Sequence, residues 1–138
     1  MFSSSGHSKV LIFNTTGDRD SKKLLNILRE QNHFEQVCFV PNISTTESAQ
    51  RSDNYSVHLS QQLQKARMHN ENWQSLCQAA GQPGNSQVFE SVLDSFKYLQ
   101  RTLCKEGGLQ QLDVLITGSL HLIGATVLAL NEFKLDLE

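Results

Sequence analysis

Three short apolar runs, each closed by turn-forming residues, set the tightest limit on what this chain can fold into. Val10-Leu11-Ile12-Phe13, within a strand expected over 9–15, ends at Thr16-Gly17-Asp18, and Val37-Cys38-Phe39-Val40 ends at Pro41-Asn42. Val114-Leu115-Ile116, within a strand expected over 113–117, ends at Gly118-Ser119. Runs without polar alternation fit strands covered on both faces, as parallel strands are. Parallel neighbours cannot be joined by a tight hairpin, so the chain between the runs must supply crossover helices.

It has the signals for them. Asp20-Ser21 opens a helix whose Leu24, Leu25 and Leu28 share one face. Leu59, Leu63, Ala66, Asn70, Trp73, Cys77 and Ala80 recur at alternating spacings of four and three, a stripe on a long helix closed by Gly81 and Pro83. Ser91, with Asp94 three residues on, caps a third helix with core face Val92, Phe96, Leu99 and Leu103, ended by Gly107-Gly108. A last helix follows Gly118-Ser119; it is apolar on nearly all sides and is expected to be largely buried. The run Gln87-Val88-Phe89 adds a further short strand. Residues 1–8 read as a flexible lead, 9–138 as one α/β domain, and the polar stretch 41–56 as a surface loop within it. The alternation predicts a doubly wound, mostly parallel sheet of about four strands with flanking helices. Such sheets bind ligands at the carboxyl ends of their strands, so the loops after Thr15 and Thr117 are where function is expected.

Composition removes several classes. Lys and Arg number 12 against 14 Asp and Glu, a net charge of -2, which does not suit a strongly basic nucleic-acid or membrane-surface module. No stretch reaches the ~20 apolar residues of a membrane helix. The first residues lack the basic start and apolar run of a signal peptide, so no targeting segment is read there. Cys38, Cys77 and Cys104 are too far apart to pair as Cys-x-x-Cys and read as reduced thiols. The histidines are scattered without metal-ligand spacing, and His121 reads as an ordinary helix residue. No Gly-Lys phosphate loop occurs. The Trp73 stripe carries no interleaved basic residues and reads as a packing face.

Two blocks at opposite ends of the chain resemble a known family. Val10-Leu11-Ile12-Phe13-Asn14-Thr15-Thr16-Gly17-Asp18-Arg19-Asp20 is similar to the strand and Gly-Asp-Arg-Asp turn of folylpolyglutamate synthases. Val114-Leu115-Ile116-Thr117-Gly118-Ser119-Leu120-His121-Leu122-Ile123-Gly124 resembles their near-terminal Thr-Gly-Ser-Leu-His-Leu turn. Gln36 to Asn42 fits as well, and Asn70-Glu71-Asn72-Trp73 more loosely. Both blocks belong to the C-terminal domain of those enzymes, members of the Mur ligase superfamily, so the resemblance implies an incomplete Mur ligase C-terminal domain. It also implies an ATP-dependent ligase of one-carbon metabolism that adds glutamate to the γ-carboxylate of folates through an acyl phosphate. Folate and glutamate would be substrates, and ATP and Mg2+ would be bound mainly outside these residues, by an N-terminal domain. No cofactor is expected on this stretch alone, nor any nucleic-acid or membrane partner, and the family places the protein in cytoplasm or mitochondrion. The family's Asp-Gly-Ala-His-like strand is not present, which leads us to expect a gap in the middle of the sheet and an inactive fragment. The rival expectation is a non-catalytic binding or regulatory module.

Within the resemblance, Ser119 and Thr117 are expected to bind the incoming glutamate, because a helix start offers unpaired N–H groups and a positive dipole end to a carboxylate. Asp18 and Arg19 are expected on the substrate side, the guanidinium balancing phosphate or glutamate charge. The plainer alternatives are that Ser119 only caps its helix, that Asp20 does the same for the first helix, and that Arg19 is solvated.

Overall fold

The apolar runs become strands and the capped stripes become helices. The computed structural model describes residues 8–15, 20–43, 55–103, 112–118 and 120–137. Along the chain these are β1 (Ser8–Phe13), α1 (Ser21–Gln31), β2 (Gln36–Phe39), α2 (Tyr55–Ala79), β3 (Ser86–Val88), α3 (Val92–Thr102), β4 (Leu112–Thr117) and α4 (Leu120–Leu137). Helix α1 starts where expected because the Asp20 carboxylate accepts from Lys23 N at 3.1 Å. Helix α3 starts at Ser91, whose Oγ accepts from Asp94 N at 3.1 Å. Each bond satisfies a backbone donor that the first helical turn leaves open. The long helix begins at Tyr55, which shortens the expected 41–56 loop by two residues; 44–54 lie outside the described residues.

The four strands form one all-parallel sheet in the order β3-β2-β1-β4. Strand β1 is central, with Phe13 opposite Phe39 on one side and Thr117 on the other. Directly paired on both sides, it leaves no room for the interior gap expected above. Alternate residues of β1 and β2 feed two cores. Val10, Ile12, Cys38 and Val40 face α3 and α4 through Val92, Phe96, Leu99, Leu122, Ala129 and Phe133. Leu11, Phe13, Val37 and Phe39 face α1 and α2 through Leu25, Ala66, Trp73 and Cys77. Phe96 and Phe133 meet edge to face at 5.8 Å, joining α3 to α4. Helices on both faces of a parallel sheet make the expected doubly wound architecture.

Two expectations about burial need correction. Strand β4 is as apolar as β1, yet Val114, Leu115 and Ile116 are only half-buried because β4 is an edge strand. Helix α4 is not covered on all sides: Ile123, Val127 and Leu128 are about half exposed or more. Above an edge strand the sheet ends, so a helix apolar all round has support on one side only.

Candidate functional site

The chain runs from β1 outward through β2 to β3, then returns to place β4 on the other side of β1. The strand order therefore reverses between β1 and β4, and in open α/β sheets the crevice outside the carboxyl ends at such a point is where ligands bind. Both strands run the same way, Ser8 opposite Leu112 and Phe13 opposite Thr117, so their carboxyl ends share one edge. The two sequence blocks from opposite ends of the chain meet there.

Their approach is close. Asn14 N donates to the Thr117 carbonyl at 3.4 Å, continuing the ladder one residue past β1. Gly118 follows with φ +123°, a conformation that favours glycine, and a Cβ at this position would fall on the Asn14 carbonyl. No other residue type allows the β4 turn to lie so near the end of β1.

A polar cluster is built behind this junction. The Asn14 side-chain amide donates to Asn42 Oδ1 at 3.0 Å, tying the end of β1 to the loop after β2. Asn42 N in turn donates to Gln62 Oε1 of α2 at 2.6 Å. One residue past Asn14, Thr15 is 2% exposed, and its Oγ1 lies 3.0 Å from His69 Nε2 on the same helix. Thus α2 leans over the carboxyl edge and holds both the β1 and β2 loops by side-chain bonds.

His69 is the most perturbed group of the cluster. It is 1% exposed, packs edge to face on Phe13 at 5.3 Å, and its Nδ1 has no hydrogen-bond partner. Burial lowers its pKa to about 4, and the Lys65 ammonium one helical turn earlier acts in the same direction. The ring is therefore neutral near pH 7. A bare ring lone pair is less costly to bury than an orphaned N–H, which favours the tautomer with Nε2–H donating to Thr15 Oγ1.

Of the residues read from the sequence, Thr117 stands at the junction, half-buried, with its carbonyl holding Asn14 N. Asp18, Arg19 and Ser119 lie outside the described residues, as do Cys104 and Gly107-Gly108. Sequence reasoning misses Thr15, Asn42, Gln62 and His69. For His69 a signal exists: steps of three from Ala66 and four to Trp73 put it on the buried stripe, where the reading above places Asn70. Asn70 is half-buried instead, and its Oδ1 accepts from Ser86 Oγ at 2.5 Å, bracing β3. Trp73 packs beside Phe34 at 6.2 Å, in keeping with the expected packing stripe. Cys38 and Cys77 are free and buried, and burial pushes both thiols up. Among the described residues no three His, Cys, Asp or Glu side chains converge as metal ligands, and no helix is long and apolar enough to cross a membrane.

A doubly wound parallel domain with a polar, helix-braced junction at its strand-order reversal has the architecture of the ligand-binding α/β domains. Comparison with known proteins narrows it. The chain is 26% identical over 172 residues to the mitochondrial folylpolyglutamate synthase of Cricetulus griseus, covering 86% of this chain and 29% of that protein. It is 31% identical over 135 residues to the folylpolyglutamate synthase of Arabidopsis thaliana, covering 84% and 23%. With the mitochondrial enzyme of Homo sapiens it shares 35% identity over 77 residues, 54% of this chain and 13% of that one. No family model and no solved structure matches. The chain is a relative of the folylpolyglutamate synthases and resembles their C-terminal domain. It spans no more than about 29% of the length of the curated relatives it matches.

Proposed function

We propose that these residues form the glutamate-side wall of a folylpolyglutamate synthase, an enzyme that joins glutamate to the γ-carboxylate of a folate at the expense of ATP. The observation that carries the reading is the meeting of the β1 and β4 carboxyl ends, where Gly118 rests on the Asn14 carbonyl and brings both family-like blocks to one crevice. In the reaction the γ-carboxylate is phosphorylated; the glutamate amine then attacks the acyl phosphate, loses a proton and expels phosphate. Ser119 and Thr117 hold the glutamate carboxylate at the start of α4, and Asp18 with Arg19 balances the anionic groups after β1. The acyl phosphate must be shielded from water, a task for a second domain closing over this edge.

The donors described at this edge are amides, a hydroxyl and a neutral imidazole, which do not fit Mg2+, a cation that takes carboxylate, phosphate and water oxygens. In this reading ATP and its metal are bound mainly by other parts of the enzyme, and these residues alone are not expected to ligate. The mitochondrial relatives support a mitochondrial setting, and a cytoplasmic one is read from the family resemblance. The test is Ser119→Ala in a complete synthase containing this domain. Losing one charge-assisted hydrogen bond costs about 1.5–3 kcal/mol, so the KM for glutamate rises at least about tenfold while that for ATP stays. Unchanged glutamate dependence with a lower Tm makes Ser119 a helix cap and refutes the assignment.

A further inference from the structure

At the opposite edge of the sheet, where β1 begins, a cavity of about 330 Å3 opens between the end of α1 and the last turns of α2. Its wall includes Lys9, Arg29, His33, Trp73 and Cys77. The volume lies at the lower end of the range for small-molecule sites. Arg29 is held rigid: Nε and Nη2 both donate to Asn26 Oδ1, at 3.3 and 2.8 Å, and Nη1 donates to Gln82 Oε1 at 3.1 Å. These bonds use three of the five guanidinium N–H groups and leave one on each terminal nitrogen. The Trp73 side chain is 4% exposed and forms part of the same wall, beside Phe34.

The charge at the mouth is mixed. Among the described residues Glu30 is the one carboxylate on the wall; it accepts from Asn26 at 2.8 Å and stands 4.0 Å from Arg29 Nη2, too far for a hydrogen bond. Burial keeps the Cys77 thiol protonated even beside Arg29, so the floor adds no negative charge.

We propose that this cavity binds a small oxyanion-bearing ligand, with a carboxylate or phosphate group seated on the free terminal N–H pair of Arg29 and hydrogen-bonded to the Trp73 indole. The site is on the edge of the sheet remote from Asn14 and Gly118, and its existence does not depend on the ligase reading.

Trp73 is the only tryptophan of the chain, so its emission reports this cavity alone. The 138-residue chain is titrated with inorganic phosphate, and separately with acetate, at constant ionic strength kept with chloride. Saturable change in Trp73 emission, with phosphate or acetate but not chloride, is expected. Arg29→Gln should raise the midpoint by roughly tenfold or more, as the loss of a charge-assisted fork does, and Lys9→Gln by a few-fold. If Arg29→Gln does not fold, the indole N–H resonance of the unsubstituted chain decides, because a direct bond moves it saturably with the same midpoint. The phosphate and acetate arms separate the two oxyanion classes. Emission that follows ionic strength only, an indole resonance that does not move, or an Arg29→Gln chain with an unchanged midpoint overturns the proposal.

Discussion

The neutral, buried His69 makes a quantitative claim about acid stability. In the unfolded chain a histidine titrates near ~6.5, whereas the folded ring waits until about 4. Above the unfolded value both states are neutral and the group contributes nothing to the pH dependence. As pH falls below it the unfolded chain binds a proton that the folded chain refuses, so stability is lost progressively until the folded ring protonates too. Integrating between the two values gives a loss of about 2 kcal/mol by about pH 5 and about 3 kcal/mol by about pH 4. Carboxylates also titrate in this window, so a reference is needed. His69→Phe retains the packing on Phe13 and Phe39 and removes the titration, the orphaned Nδ1 and the bond to Thr15. Urea melts of both chains from about pH 7 to about pH 4 should diverge by about 2–3 kcal/mol, the phenylalanine chain losing less. Parallel pH profiles would refute the reasoning and mean that water or Thr15 already satisfies a protonated ring.

Glycine and cap substitutions test the frame of the site. Gly118→Ala places a methyl group on the Asn14 carbonyl at φ +123°, and should cost about 3 kcal/mol or more in urea melts. Gly81→Ala, at φ +68° with nothing within 4 Å, should cost only about 1 kcal/mol; equal losses would show that Gly118 is not a contact glycine. Ser91→Ala removes the N-cap acceptor of α3 and should lower stability by about 1–2 kcal/mol, with a smaller loss showing that solvent or another group replaces it.

How far the site is legible in the sequence depends on which periodicity carries the information. The runs at Val10 and Val37 give their strands to within two residues, because a run buried on both faces has no competing reading at that length. The caps at Asp20 and Ser91 are legible because a side-chain acceptor at a helix start has a local job. The stripe of α2 is not resolved at its centre. Steps of three and four can pass through either His69 or Asn70, and only the sheet edge decides, since His69 meets Phe13 and Phe39 while Asn70 meets Ser86. The exposure of Ile123, Val127 and Leu128 is invisible for a related reason: composition says a helix is apolar, not how far the sheet beneath it extends.

Strand order links these local facts to function. A chain laid down as β1, β2, β3 in one direction could have continued outward, and the two family-like blocks would then sit at opposite margins of the sheet. Returning to pair β4 with β1 makes Thr117 the neighbour of Phe13, and the turn that follows must pass over the end of β1. Glycine at 118 permits that passage, and Asn14, freed from capping its own strand, spends its side chain on Asn42. Helix α2 then ties the ends of β1 and β2 through His69 and Gln62. Under the proposed ligase function, aligning an amine with a short-lived acyl phosphate would call for such bracing, because misplacement by even about 1 Å can cost on the order of a hundredfold in rate.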